Sequence, residues 1–158
     1  MEKNFLTRKA IAKDLEDILK LNFALFKKEQ VEYDESLSLE WTYSEGRKYL
    51  SDRIDGDDGF VEVAVAQDDV IGYLCGGIAK RALYRVEGSY AELENMFVEE
   101  SFRGKGVGKK LVEDFIGWCK EQSVGHLSVT AYARNEQALG IYRKAGFADC
   151  TVTLEKEL

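Results

Sequence analysis

Residues Tyr90–Cys119 read YAELENMFVEESFRGKGVGKKLVEDFIGWC, and three signals stand in a row within them. Tyr90–Glu99 reads as a strand. From about Gly106 to Gln122, the residues Val107, Leu111, Phe115 and Trp118 recur every three or four positions, the spacing of an amphipathic helix. Between them lies the glycine-rich turn Arg103-Gly104-Lys105-Gly106-Val107-Gly108. A backbone without Cβ atoms can wrap closely around phosphate oxygens and turn its N–H groups inward. The positive end of the following helix dipole favours the same negative charge. Arg103 adds a forked donor suited to a diphosphate, and Lys105 and Lys109 add positive charge. Two other phosphate motifs fail. The nucleotide P-loop needs glycine where Arg103 stands and Ser or Thr where Lys110 stands; the dinucleotide fingerprint needs glycine at Lys109.

Outward from this unit, His126–Tyr132 reads as a strand and Glu136–Lys144 as a helix with Gly146 as its C-cap. A final strand is expected at Phe147–Glu155. On the other side, Phe60–Ala66 and Val70–Ala79 form a hairpin through Gln67-Asp68-Asp69, and Lys80–Gly88 is a polar loop. Phe5–Arg8 is a short strand. Asp14 caps a helix whose inner face carries Leu15, Ile18, Leu19, Asn22, Leu25 and Phe26. Glu29–Leu39 reads as acidic and irregular, and a second helix is expected over Trp41–Ile54. The order β-α-α-β-β-β-α-β-α-β belongs to mixed α/β or α+β folds rather than to a doubly wound dinucleotide binder.

At 158 residues, 45% hydrophobic and 32% charged, the chain is expected to form a single domain, 1–158. This composition excludes a disordered chain. No apolar run approaches the ~18 residues of a membrane helix, so no membrane partner is expected. Met1–Ala10 carries no apolar signal core, which makes the cytoplasm the expected location. Lys plus Arg number 22 against 29 Asp plus Glu, a formal charge of −7 that disfavours nucleic acid as a partner. Cys75, Cys119 and Cys150 are far apart and contain no CxxC pair, as expected of reduced thiols. One histidine and scattered cysteines offer no metal ligand cluster, so no metal is expected.

The stretches ELENMFVEESFRGKGVGKKLVEDFIGWC (Glu92–Cys119) and LSVTAYARNEQALGIYRKAGF (Leu127–Phe147) resemble the GNAT superfamily of acetyl-CoA-dependent N-acetyltransferases. That resemblance implies an α+β (mixed α/β) fold: a twisted, mostly antiparallel central sheet flanked by helices. The sheet is splayed between the fourth and fifth strands, here Tyr90–Glu99 and His126–Tyr132, to admit the cosubstrate. In the family an R/Q-x-x-G-x-G/A turn holds the pyrophosphate of coenzyme A. Arg103, Gly106 and Gly108 match it, with Gly104, Lys105 and Val107 in the same turn. The resemblance also assigns Met96, Phe97 and Val98 to main-chain binding of pantetheine and Asn135 to a contact with its arm. Tyr142 it places beside the thioester sulfur as a hydrogen-bond donor. Asn135 and Tyr142 are seven positions apart, within about 20° of each other around a helix axis.

The chemistry sets further demands. A lysine-like amine has a pKa of about 10.4 and must lose a proton before it attacks. A carboxylate can take that proton directly or through a water. Glu92 and Glu94 alternate onto one side of a regular strand. A bulge, frequent in this strand among GNAT proteins, breaks that parity, so the choice of base stays open, with Glu94 preferred from the family's "LE-[DN]-x-[FY]-V" setting. A departing thiolate has a reference pKa of about 8.5 against ~10 for tyrosine, which favours a hydrogen bond from Tyr142 over full proton transfer. Among GNAT proteins the acceptor enters near the first interhelix loop. Here Glu29, Glu32, Asp34 and Glu35, with Glu92 and Glu94, make an acidic mouth for a cationic amine, and Tyr33 is placed to line it. The function implied is direct acetyl transfer to a primary amine that is polyamine-, aminoglycoside- or lysine-like. Two alternatives use the same residues: a peptide or protein α-amino or lysine acetyltransferase, and a non-catalytic acyl-CoA-binding module. A homodimer is compatible with either.

Overall fold

The structure, a computed structural model, describes residues 4–158. Its elements are β1 (Leu6–Lys9), α1 (Leu15–Glu32), α2 (Glu45–Asp55), β2 (Gly59–Ala66), β3 (Asp69–Ile78), β4 (Tyr90–Val98), α3 (Val107–Glu121), β5 (His126–Val129) and α4 (Glu136–Lys144). The strands form one sheet in the order β1-β2-β3-β4-β5, antiparallel throughout except for the parallel β4–β5 pair. Alternation along the strands divides the core. Val61, Val63, Tyr73 and Cys75 pack under α1 and α2, while Ala64, Leu74, Ala91 and Leu93 pack under α3.

The β4–β5 ladder runs from Tyr90↔His126 to Leu93↔Val129 and stops there, although β4 continues to Val98. Beyond Leu93 the two strands part, so β5 ends at Val129 instead of reaching Tyr132. This gap is the expected splay. A second irregularity sits beside it. Cys75 faces Asn95 and Gly76 faces Leu93, which leaves Glu94 as the extra residue of a β-bulge. Leu93, Met96 and Val98 therefore face α3, whereas Glu94 and Asn95 both turn toward α2.

Three other boundaries differ from the sequence reading. Helix α1 runs to Glu32, so Glu29 and Glu32 lie on a helix and not in an irregular loop. Its inward row Ile18–Asn22–Leu25 continues to Glu29 at helical spacing, which extends the helix through polar residues. Helix α2 starts at Glu45, because Leu39–Tyr43 form a separate 3-10 turn. Trp41 folds back onto Gly46, where a Cβ would lie 2.9 Å from its ring. Finally, Phe147–Glu155 belongs to no strand: the segment has strand chemistry but pairs with no described strand.

Under α3, Glu62 on β2 is only 8% exposed and its Oε2 has no hydrogen-bond partner among the described residues. Asp114 on α3 faces it, held by Thr7 Oγ1 at 2.9 Å and by an ion pair with Lys110; Lys9 stands opposite Glu62 on β1. Burial first, and the Asp114 charge second, push the Glu62 carboxyl up to about 8.

Candidate active site

The turn between β4 and α3 has the backbone that its glycines permit. Gly104 (φ +73°) and Gly106 (φ +86°) are left-handed, and a Cβ on either would meet nothing within 4 Å, so their open sides face the surface. The first backbone bond of the helix is Lys110 N–H to Gly106 O at 3.0 Å. Among the described residues, no amide from Gly104 to Lys109 donates to a backbone carbonyl. Up to six N–H groups at the positive end of a 15-residue helix are thus free for an anion. Gly108, the second residue of the helix, is buried between Met96 of β4 and Ile141 of α4, each 3.6 Å from where its Cβ would be. Arg103 Nε donates to Val98 O at 2.8 Å and its guanidinium lies over the Phe97 ring, which fixes the side chain while leaving its terminal nitrogens available.

A groove of about 870 Å³ leads from this turn to the end of α1, lined by Arg103, Phe97, Glu99, Glu100, Lys28 and Glu32. Past Leu93, the main chain of Met96–Val98 has no strand partner on its β5 side, so its polar groups border the splay. Tyr142 lies on the α3 face, packed edge-on against Phe147 with ring centroids 5.9 Å apart. The side chain is buried and no described group hydrogen-bonds its hydroxyl. Burial, and secondarily the charge of Glu29, push the phenol up to about 12. Asn135, assigned above to the pantetheine arm, uses its Oδ1 to cap α4 through the Ala138 N–H at 3.1 Å, leaving only its Nδ2 for other contacts.

Glu94, preferred above as base, is tied up. One oxygen lies 2.6 Å from Arg53 Nη2, the other accepts a hydrogen bond from Tyr49, and both partners come from α2. The neighbouring Cys75 thiol, 3.5 Å from the Tyr49 hydroxyl, is pushed up to about 12 by burial and is inert. Glu92, on the same face one strand period earlier, forms no ion pair or hydrogen bond with any described side chain. Burial, then the Glu94 charge, raise its pKa. Of the two strand carboxylates, Glu92 is the one free to take a proton. Glu29, half-buried on α1, is likewise raised by burial and has no ion-pair partner among the described residues. Of the rest of the acidic mouth, Glu32 is paired with a cation and Asp34 is held by hydroxyls. Glu32 pairs with Lys28 at 2.6 Å, and Asp34 accepts from Ser36 and from the Tyr132 hydroxyl at 3.3 Å. Tyr33 stacks on Tyr132 at 5.1 Å and Arg134 donates to Glu32 O at 3.1 Å, so the end of α1 is latched to the chain just past β5.

Arg53, Tyr49, Tyr132 and Arg134 were not visible as site residues in the sequence. Tyr49 and Arg53 do share one face of α2 at i, i+4 spacing, but nothing local links that face to Glu94, more than forty positions away.

Comparison with known proteins agrees with this architecture. The profile of the Acetyltransferase (GNAT) family matches residues 19–147. An uncharacterized N-acetyltransferase, MJ1207 of Methanocaldococcus jannaschii, is 25% identical over 93% of this chain, which spans 62% of that relative's length. Among solved structures, a variant of the BH1408 protein of Bacillus halodurans superposes with a TM-score of 0.81 at 18% identity, covering 97% of this chain and 99% of that one. The aminoglycoside N-acetyltransferase AAC(6')-Iy, solved in complex with CoA, gives 0.76 at 17% identity, covering 100% and 97%. With the family profile running from α1 through α4 and the same sheet recurring in these structures, the chain belongs to the acetyltransferase (GNAT) family.

Proposed function

We propose that this protein is an acetyl-CoA-dependent N-acetyltransferase that passes the acetyl group directly to the primary amine of a small cationic acceptor. One observation carries the reading: the free amides of Gly104–Lys109 open beside the gap between β4 and β5. The residues present suit coenzyme A. The amides and the Arg103 guanidinium match a diphosphate, and the unpaired main chain of Met96–Val98 matches an amide-bearing arm. When bound, acetyl-CoA would supply a thioester whose carbonyl carbon is the electrophile. Glu92 takes the proton of the incoming ammonium, its raised pKa bringing it closer to that task. Tyr142 offers its hydroxyl to the departing sulfur as a hydrogen bond. At about 12 its phenol lies far above a thiol, so complete transfer would cost roughly 5 kcal/mol. Glu29, free of a cation, holds the positive charge of the acceptor.

The acceptor class rests on the carboxylates Glu29 and Glu92, and on the aminoglycoside acetyltransferases among proteins of the same fold. A free-thiol release assay with a panel of polyamines, aminoglycosides, lysine-like amines and peptides tests it. Steady turnover with a small polycation is expected. Turnover on peptides alone would replace the acceptor, and tight CoA binding without turnover would leave only a binding module.

Two variants test the roles. Tyr142→Phe lowers kcat by about tenfold, roughly one hydrogen bond's worth of transition-state stabilisation, with the acetyl-CoA KM unchanged. Equal kcat would leave the tyrosine as packing. In the pH profile of kcat/KM, the acid limb lies above the ordinary glutamate range, because Glu92 is half-buried next to Glu94. Glu92→Gln abolishes that limb. A limb that persists in this variant transfers the role of base to Glu29.

A further inference from the structure

The loop between β3 and β4, Lys80–Ser89, reads KRALYRVEGS. Its foot is fixed: Ala79 N–H donates to Tyr90 O at 2.9 Å, and the Arg81 guanidinium lies over the Tyr90 ring. Beyond that foot, one backbone hydrogen bond is described for residues 80–88, from Arg85 N–H to Ala82 O at 2.9 Å. It closes a four-residue turn with Leu83 and Tyr84 at its tip. Leu83 is fully exposed, Tyr84 is 84% and Val86 83% exposed, and none of the three joins either core cluster. Arg85 stands over the Tyr84 ring, and Lys80 is exposed at the foot.

Two properties set this loop apart. Exposed apolar side chains scattered singly need no explanation, whereas three within four residues form a patch that another surface covers. The loop also carries Lys80, Arg81 and Arg85 against one acid, Glu87, in a chain whose formal charge is −7. A surface that complements it is anionic and accepts an apolar wedge. A tip of three side chains buries far less than the roughly 1,000 Å² of a specific protein interface. A bilayer surface needs no matching shape. Its headgroups take the cations, its acyl boundary takes leucine and valine, and tyrosine sits between them. The acids at the same end of the sheet, Asp55, Asp57 and Asp58, lie at the loop's foot, where Asp58 O accepts the Ile78 N–H at 2.8 Å. A ten-residue hairpin reaches up to about 16 Å beyond that foot, more than the ~8 Å over which salt screens a charge.

We propose that the β3–β4 loop docks the protein on the surface of an anionic lipid bilayer, with Leu83, Tyr84 and Val86 entering the interface and Lys80, Arg81 and Arg85 against the headgroups. No described helix is long and apolar enough to cross a membrane, and this contact needs none. Three apolar side chains and three cations make it weak and reversible. The loop lies at the end of β4 opposite the glycine turn, and the proposal does not depend on the catalytic reading.

Co-sedimentation of the full chain with phospholipid vesicles tests it. Binding is expected to phosphatidylcholine vesicles that contain about 30% phosphatidylglycerol, and it weakens as salt is added. On phosphatidylcholine alone it is about a hundredfold weaker, because three cations lose their counter-charge. Leu83→Ser combined with Tyr84→Ser lowers partitioning at least about tenfold, since two apolar side chains no longer leave water. Lys80→Gln combined with Arg85→Gln lowers it about twentyfold on the anionic vesicles only. All four side chains stand in solvent, so the thermal melts match that of the parent protein. Val31→Ser, at a comparably exposed apolar side chain on α1, leaves binding unchanged. The emission of a Leu83→Trp variant shifts to the blue with anionic vesicles. No binding to anionic vesicles at low salt, binding that survives the Leu83/Tyr84 pair of substitutions, or an unshifted emission in Leu83→Trp would each overturn the proposal. Loop-dependent self-association in sedimentation velocity without vesicles would do the same, giving the tip to a second copy.

Discussion

Replacing Gly106 by valine is expected to weaken acetyl-CoA binding by more than about a hundredfold, equivalent to roughly 2.7 kcal/mol. Two causes add. Gly106 holds φ +86° at the N-cap of α3, a conformation that costs an L-residue about 1–2 kcal/mol and a β-branched one more. The valine side chain would also stand on the open side of the turn, where the diphosphate would lie in the proposed site. Either the turn relaxes and the amides diverge, or it holds and the ligand meets methyl groups. Titration calorimetry with CoA and acetyl-CoA reads the affinity, and a thermal melt shows that the fold persists. Gly108→Ala provides the contrast: its Cβ would meet Met96 and Ile141 at an ordinary 3.6 Å, and a change of only a few-fold is expected. Larger residues at 108 would force β4 and α4 apart. Full affinity in Gly106→Val would remove the turn from the cosubstrate site and the functional proposal with it.

The stability of the protein is expected to fall as pH rises between about 4.5 and 8. Glu62 ionises at about 8 in the folded state, against an ordinary 4.5 once it is exposed. Between those values the folded chain keeps a proton that the unfolded chain has lost, so unfolding releases it and higher pH favours unfolding. A single such group gives a slope of at most about 1.4 kcal/mol per pH unit, vanishing below the lower value and above the upper one. Asp114, Lys110, Thr7 and Lys9 surround the carboxyl, and of these only Asp114 disfavours its charge. Glu62→Gln keeps the shape and removes the titration. Denaturant melts across this range should show the wild-type slope flattened in the variant, with the largest gain near pH 8. Parallel curves for the two proteins would mean that Glu62 is hydrated and ionises normally.

Legibility in the sequence followed the range of the interaction. Strand β4, the glycine turn and α3 were readable with boundaries good to a residue or so, because each reflects a local rule: periodicity, a glycine at positive φ, a helix dipole. The splay was implied by the resemblance, and the register confirms it where the ladder ends at Leu93↔Val129. Elsewhere local signals misled. The acidic residues at 29–35 suggested a loop, but α1 carries Glu29 and Glu32 because its inner face still packs on the sheet. The strand pattern at Phe147–Glu155 is real, yet a strand exists only with a partner, and the segment pairs with no described strand.

By itself, then, the sequence determined the order of strands and helices and the glycine-rich turn, both written in local patterns along the chain. Only the tertiary structure decided which acids are free. Helix α2 set Arg53 and Tyr49 against Glu94 and left Glu92, on the same face, without a described partner, and packing brought Glu62 against Asp114. Those outcomes depend on the register between strands and on helices meeting far along the chain. A shift of one residue reverses the face a side chain takes, and no periodicity within a single strand records it.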